Sequence, residues 1–292
     1  MKRFDYFSPA TLEEAVSLLK QKGPGGKLLA GGTDLLVQIK ERGFTPEYVV
    51  SLRRLKELYG IEFSPSAGLR VGAMADMAAI EANAVVRERY AALSDGAGII
   101  GSVQTRNMAT LGGNLCNAAP SAETIAPLIV LGAMARLAHE NGRRELPVEE
   151  VCEGPGRTVL RLNEILVDLL IPAPPPRSGS AYVRHTPRKE MDIAVVGSAV
   201  FVTLEPDKDV IKDARVSLAA VAPTPIRSPK AEAALQGQPI SDEVIARAGA
   251  GAAEDARPIS DVRGSASFRR HLCDVLTQRM TRLAIERAKA NG

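Results

Sequence analysis

Tryptophan is absent from the 292-residue sequence, and aromatic residues of all kinds amount to only 4%. The core must therefore be built from smaller side chains, chiefly Ala, Leu, Val and Ile, which the hydrophobic content of 45% allows. Long apolar runs are also missing, because even residues 193–204 fall well short of the ~20 that a membrane helix needs. The N-terminal segment lacks the apolar stretch of a secretory signal. These absences predict a cytoplasmic globular protein without a membrane span.

Metal ligands are equally scarce. Three cysteines and three histidines are scattered along the chain without a C-x-x-C pair: Cys116, Cys152, Cys273, His139, His185 and His271. A four-cysteine iron–sulfur cluster or zinc site cannot be assembled from them, so we predict no metal site in this chain. No Ser-His-Asp or paired-carboxylate motif stands out, and we assign no catalytic acid, base or nucleophile. The net charge of +3 is too small to indicate a nucleic-acid partner.

The first third of the sequence predicts alternating helices and strands. Thr11 and Glu14 form a capping box at the start of a helix. Residues 27–30 predict a strand that enters the Gly-Gly turn, residues 34–41 predict the helix after it, and residues 48–52 predict a buried strand. The apolar residues of the first helix recur on one face: Leu12, Ala15, Val16 and Leu19.

Hairpins and a proline-rich segment organise the rest. Residues 60–72 predict a hairpin around Ser-Pro-Ser-Ala-Gly, and Asn141-Gly142 is the turn of a second one. The prolines of residues 172–179 exclude regular structure, which places a domain boundary there. Two strands and several helices follow, the last helix over 265–289. Hairpins that interrupt the alternation favour an α+β fold over a doubly wound sheet.

Two glycine pairs are the strongest functional signal. Gly31-Gly32 lies where a strand is predicted to become a helix, and Gly112-Gly113 lies in a similar setting. Glycines there can adopt positive φ, and consecutive amides with a helix N-terminus can bind an anion. Two facing loops would suit a pyrophosphate, with Thr33 and Thr110 as further donors. Neither pair belongs to a G-x-G-x-x-G or P-loop motif, so simple turns remain an alternative on these residues alone.

Long segments around both glycine pairs carry a resemblance to a known family. LLAGGTDLLVQIK (28–40) and QTRNMATLGGNLCNAAPSAETIAPLIVLGA (104–133) resemble the two FAD-binding motifs of the flavoprotein subunits of molybdenum hydroxylases. This is the family of xanthine dehydrogenase and carbon monoxide dehydrogenase, and the likeness is to its bacterial xanthine dehydrogenase branch in particular. VRHTPRKEMDIAVVGSAV (183–200), VAPTPIRSPKAEAAL (221–235) and SFRRHLCDVLTQRM (267–280) are similar to the C-terminal domain of that family.

The resemblance implies a fold and a division into domains. Residues 1–175 would form a vanillyl-alcohol-oxidase (PCMH)-type FAD-binding domain, with subdomains over about 1–55 and 56–172. Residues 176–292 would form the C-terminal α+β domain of the CO dehydrogenase flavoprotein type.

The resemblance also implies which residues line the cofactor. FAD would lie between the two subdomains, bound non-covalently, with its pyrophosphate held by the two glycine loops. Glu123 stands where the motif more often carries Asp, so its reach is one methylene longer. The implied FAD-binding residues are Lys27, Leu28, Leu29, Ala30, Gly31, Gly32, Thr33, Asp34, Ala109, Thr110, Leu111, Gly112, Gly113, Asn114, Asn117, Glu123, Ile165 and Arg184.

In the family that the sequence resembles, this chain would be the medium subunit. A large subunit would carry the molybdenum cofactor, and a small subunit would carry two [2Fe–2S] clusters, in a heterotrimer or a dimer of heterotrimers. Electrons would pass from those clusters to FAD and then to NAD, a quinone or another acceptor. The contact surface would include residues 114–123 and parts of the C-terminal domain, with a basic set from the last helix: Arg269, Arg270, Arg279, Arg282 and Arg287.

Two other functions remain open on the sequence. One is a self-contained flavin-dependent reductase on the same FAD fold, although the C-terminal segment does not resemble that of such enzymes. The other is an assembly scaffold that has lost FAD, against which both intact glycine loops argue.

Overall fold

The computed structural model describes residues 3–41 and 43–291, which form three larger sheets covered by helices. The strands are β1 (Asp5–Phe7), β2 (Gly26–Leu29), β3 (Tyr48–Ser51), β4 (Ile61–Ser64), β5 (Gly68–Gly72), β6 (Met134–His139), β7 (Gly142–Pro147), β8 (Cys152–Gly154), β9 (Arg157–Thr158), β10 (Ile165–Ile171), β11 (Ser178–His185), β12 (Val196–Leu204), β13 (Ile211–Ala219) and β14 (Ile226–Arg227). The helices are α1 (Leu12–Lys22), α2 (Leu35–Glu41), α3 (Met77–Ala82), α4 (Ala84–Arg89), α5 (Ala91–Gly98), α6 (Val103–Arg106), α7 (Leu111–Asn117), α8 (Ile125–Val130), α9 (Pro229–Leu235), α10 (Asp242–Asp255) and α11 (Ala266–Ala290). The predicted α+β class is confirmed.

The first sheet is small and parallel, in the order β1-β3-β2. Its central strand β3 is fully buried, as the β-branched residues of 48–52 predict. Helix α1 begins at the predicted cap, where the Thr11 side chain accepts from the amide of Glu14. The reciprocal bond of the capping box goes to the amide of Ala10, at 2.7 Å from Glu14 Oε2. The apolar face of α1 then packs on the sheet.

The second sheet is antiparallel, in the order β4-β5-β10-β6-β7. Both predicted hairpins, β4–β5 and β6–β7, are present, and Gly142 has the positive φ that its turn requires. Six helices, α3 to α8, connect β5 to β6, and their apolar residues form the largest core of the protein. The end of β10 and the start of β11 bracket the proline-rich segment, where no regular element forms.

The third sheet, β11-β12-β13-β14, is antiparallel and carries α9, α10 and α11 on one face. Strand β11 was not predicted, because its Ser-Gly-Ser start directly after four prolines gives no strand signal. The predicted last helix is present, and the Ser265 side chain caps it. Among the helices of residues 3–41 and 43–291, none has the length and hydrophobicity that crossing a bilayer requires.

The third sheet is fixed to the helices of the second sheet by a shared core and by polar contacts. Tyr182 and Phe201 from the third sheet belong to the same apolar cluster as α5 and α8. Asp95 on α5 accepts from the guanidinium of Arg287 at 2.7 Å and from the amide of Tyr182 at 3.1 Å. The two halves of the chain therefore meet over a buried, specific interface.

Two arginines of the expected partner-contact set take part in this internal packing instead. Arg269 is buried and donates to the carbonyls of Val195 and Ala220 and to Asp261. Arg287 is engaged by Asp95. The prediction that Arg269 contributes to an outer contact surface is wrong, because its side chain is buried and its guanidinium is bonded within the protein.

Candidate cofactor site

The first glycine loop joins β2 to α2, as predicted. Gly32 has a φ of +79°, which only glycine adopts without strain. The backbone amides of Gly31, Gly32 and Thr33 donate no hydrogen bond to any residue that the structure describes. The loop is partly exposed. It therefore presents a run of donors that a ligand can use.

The second glycine pair lies in a different setting from the one predicted. Gly112 and Gly113 belong to the first turn of α7, and a short helix, α6, precedes the loop rather than a strand. Neither glycine has positive φ. The amide of Gly112 donates to Ala73 and that of Gly113 to the Thr110 hydroxyl, which caps the helix. These glycines serve close packing, because a Cβ on Gly112 would overlap Ala73.

The two loops nevertheless touch. A Cβ built on Gly31 would overlap the backbone carbonyl of Met108, and one on Gly113 would lie 3.8 Å from the Cβ of Ala30. The backbones can approach this closely only because residue 31 has no side chain. The structure thus brings together residues 30–33 and 108–113, which are about eighty residues apart in sequence.

A buried ion pair lies beside the second loop. Arg184 on β11 donates through Nη1 to Glu123 Oε1, and its side chain is only 4% exposed. The other terminal nitrogen, Arg184 Nη2, is buried and has no partner among the described residues. Burial raises the pKa of Glu123 against the lowering effect of Arg184, and the charge of Asp34 raises it further. Asp34, Glu123 and Arg184 therefore form one electrostatic group drawn from three parts of the chain.

The remaining expected site residues divide into two groups. Asn114 accepts from the Thr124 hydroxyl at 2.6 Å, and Asn117 ends α7 in a half-buried position, so both lie near the second loop. Lys27 is exposed at the surface, with its ammonium group over the ring of Phe44. Ile165 is fully buried in a core with α1, so its assignment as a cofactor residue stays a prediction based on resemblance.

Sequence reasoning missed Tyr182. Its hydroxyl is buried without a hydrogen-bond partner in the described chain, and the charges of Glu123 and Arg184 both act on it. Burial raises its pKa strongly, so the phenol stays protonated. No local motif marks Tyr182, since it becomes part of the site only through the pairing of β11 with β12.

Cys273 is buried in the core, whereas Cys116 and Cys152 are partly buried and pack against the largest apolar cluster. Burial raises the pKa of Cys116 to about 12, that of Cys152 to about 11 and that of Cys273 to about 12. Thiols with such values are almost entirely protonated near neutral pH and are poor nucleophiles. In the described residues no group of three or more His, Cys, Asp or Glu side chains is arranged to hold a metal ion.

We therefore expect the folded protein to resist thiol reagents. At pH 8, a chromogenic disulfide such as 5,5′-dithiobis(2-nitrobenzoate) should titrate none of the three cysteines within minutes, and all three after unfolding in guanidinium. Absorbance at 412 nm measures this directly. Rapid reaction of one thiol in the folded protein would show that the site around that cysteine opens.

Comparison with known proteins identifies the family of this chain. Residues 2–174 match the family model of the FAD binding domain in molybdopterin dehydrogenase, and residues 181–284 match that of the CO dehydrogenase flavoprotein C-terminal domain. The chain belongs to the flavoprotein subunits of the molybdenum hydroxylases. Its relatives are dehydrogenase subunits, and this flavoprotein subunit is accordingly an oxidoreductase component.

Individual relatives align with this flavoprotein subunit over nearly its whole length. The xanthine dehydrogenase FAD-binding subunit of Escherichia coli O157:H7 is 33% identical over 284 residues, spanning 97% of this chain and 96% of that protein. The carbon monoxide dehydrogenase medium chain of Hydrogenophaga pseudoflava is 32% identical over 277 residues, spanning 95% of each. A solved carbon monoxide dehydrogenase from the same organism superposes with a TM-score of 0.93 at 32% identity, covering 98% of each chain. Quinoline 2-oxidoreductase from Pseudomonas putida 86 gives 0.91 at 30% identity, covering 99% of each.

The geometry of the flavoprotein subunit suits FAD. A diphosphate needs several donors in a concave backbone segment, and the unpaired amides of residues 31–33 supply them. A buried guanidinium nitrogen without a partner is costly unless a ligand accepts from it, and Arg184 Nη2 is such a group. Both features lie in the residues that the family resemblance assigns to the cofactor.

Proposed function

We propose that this chain holds one non-covalent FAD between the two glycine loops and carries electrons within a molybdenum hydroxylase of the xanthine dehydrogenase type. The observation that carries this proposal is the contact of Gly31 with Met108, which joins the open amides of the first loop to the second loop. Bound FAD would supply the redox chemistry. The protein contributes binding, orientation and charge, and no side chain needs to act as an acid or base.

The amides of residues 31–33 would donate to the pyrophosphate. Thr33 and the hydroxyl proton of Thr110 add donors, because the Thr110 oxygen accepts from Gly113 and leaves its own proton free. Residues 109–113 would act mainly through shape, since their amides at Leu111, Gly112 and Gly113 are already bonded within the protein. Arg184 would reach the cofactor from the C-terminal half.

Electrons must reach this FAD from elsewhere, because the chain has only three cysteines and, within residues 3–41 and 43–291, they are not grouped to hold a cluster. We propose that a small subunit with [2Fe–2S] clusters supplies them and that a large subunit holds the molybdenum cofactor. NAD is the proposed acceptor, with a quinone or another acceptor as the alternative. The complex is proposed to be cytoplasmic, a heterotrimer or its dimer.

The proposed domains correspond to the sheets. We propose residues 1–175 as the FAD-binding domain and 176–292 as the C-terminal domain, with the first domain divided at about residue 55. The parallel sheet and the five-stranded antiparallel sheet would be its two subdomains, with FAD between them.

The test is the chain expressed without partners. It should purify yellow, with about one FAD per chain released into the supernatant by acid, and reduce a dye slowly with NADH. The isolated chain should hydroxylate no purine or aldehyde. Co-expression with the two partner subunits should give a complex with hydroxylase activity. Full-rate turnover of an organic substrate by the isolated chain would instead identify a self-contained flavin-dependent reductase. A colourless chain that takes up no added FAD would identify a scaffold.

A further inference from the structure

The family resemblance implies that Glu123 contacts the cofactor, and in the structure Oε1 of its carboxylate accepts from Arg184. The Glu123 side chain pairs with Arg184, and both side chains are largely buried. Glu123 lies between α7 and α8, in the FAD-binding half, whereas Arg184 lies on β11. The pair therefore fixes an arginine from one half of the chain against the cofactor loop of the other.

The guanidinium of Arg184 is held on one side only. Nη1 donates to Glu123, whereas Nη2 is buried and has no partner in the described part of the chain. A guanidinium is planar, so an acceptor fixed at one terminal nitrogen also fixes the direction of the other. Without Glu123 the long side chain could adopt other rotamers, and its binding direction would be lost.

We propose that Glu123 is a positioning residue, which aligns Arg184 so that its Nη2 donates to the bound FAD. This inference rests on the proposed function. It differs from the direct-contact role that the family motif implies for residue 123, because here Glu123 acts on the cofactor only through Arg184.

Ionisation of Glu123 is part of the arrangement. The charged and titratable groups that act on it are Arg184, Asp34 and Tyr182. A neutral carboxyl would lose most of its attraction for Arg184. Because burial raises the pKa of Glu123, its contribution to FAD binding should be complete well above that pKa and should disappear as the pH falls through it.

A double-mutant cycle separates the two roles. Glu123→Gln, Arg184→Gln and the double variant are titrated with FAD as apoproteins, using quenching of flavin fluorescence. We expect each single substitution to weaken FAD binding by about tenfold, the order expected for a charge-assisted hydrogen bond. The double variant should bind within about twofold of Arg184→Gln, because Glu123 has no effect without its arginine. If the two effects multiply in the double variant, Glu123 acts on FAD independently and the inference is wrong.

Two controls keep the result specific. Asp242→Asn removes the carboxylate of an exposed ion pair with Arg282 and should leave FAD binding unchanged. Melting of each apoprotein reports folding, and Arg184→Met, which also removes the charge and the donors, replaces Arg184→Gln in the cycle if the latter unfolds. A wild-type chain that binds no FAD would overturn the proposed function together with this inference, whereas an additive cycle overturns the inference alone.

A pH series adds a readout that a merely structural role would not change. The ratio of the FAD dissociation constants of Glu123→Gln and wild type should be largest at the highest pH of the series. It should shrink toward one as the pH falls through the raised pKa of the Glu123 carboxyl. A ratio that stays constant across this range would contradict the positioning role.

Discussion

Gly31→Ala should cost the protein most of its affinity for FAD. The added Cβ overlaps the carbonyl of Met108, so the two loops must separate to accommodate it. Overpacking of this kind typically costs about 1–3 kcal/mol, which corresponds to a loss of affinity of roughly fivefold to 150-fold if the cost falls on the FAD-bound geometry. FAD titration of the apoprotein measures the effect.

Gly237→Ala is the matched control for Gly31→Ala. Gly237 has a φ of +73° with no atom near its missing Cβ, so the substitution adds backbone strain away from the loops. It should lower the melting temperature slightly and leave the FAD dissociation constant unchanged. Wild-type affinity in Gly31→Ala would show that the contact between the loops is unnecessary for binding.

Asp168→Asn should produce the largest loss of stability. Asp168 lies on the central strand β10 with its side chain 1% exposed, and it accepts from Arg70 at 2.7 Å and from Arg136 at 2.5 Å. A neutral amide removes the buried counter-charge that the two guanidiniums share, which leaves Arg70 with only the exposed carboxylate of Glu62. We expect a cost of about 3 kcal/mol, at the lower end of the range for buried pairs because both arginines stay partly exposed. Thermal melting of the FAD-bound protein should show a decrease of roughly 6–12 °C.

The Glu62→Gln variant tests whether the loss of stability in Asp168→Asn depends on burial of the carboxylate or only on removal of a charge. Glu62 also pairs with Arg70, at 3.4 Å, but its side chain is 71% exposed. Its removal should cost less than about 1 kcal/mol. Equal melting temperatures for the two variants would mean that the Asp168 cluster contributes little to the stability of the sheet.

Elements with strong local signals could be predicted from the sequence. The Thr11 cap, the apolar face of α1 and the Asn141-Gly142 turn each depend on residues within a few positions of one another. Strand β11 lacked such a signal. Its Gly179 is selected by close packing, since a Cβ there would overlap the backbone of α11 about a hundred residues later.

The candidate site shows the same limit. The first loop has the conformation that Gly31-Gly32 predicts, whereas the second pair has the same letters but sits inside a helix turn. The sequence pattern could not distinguish a glycine in a loop with unbonded backbone amides from a glycine that is required for close packing against Ala73. The Glu123–Arg184 pair and the Asp168 cluster join residues 61 and up to 98 positions apart, so only the tertiary fold reveals them.

The core that Tyr182 and Phe201 share with α5 and α8 limits how such a protein can be reassembled. An FAD-binding half transplanted onto the C-terminal half of a distant relative would meet foreign side chains across a buried interface. It would also lose the Asp95–Arg287 and Glu123–Arg184 pairs unless both sides matched. The two halves have separate sheets, but the side chains at their interface must match. Exchange of the whole chain for a relative is therefore more feasible than exchange of the domains within it.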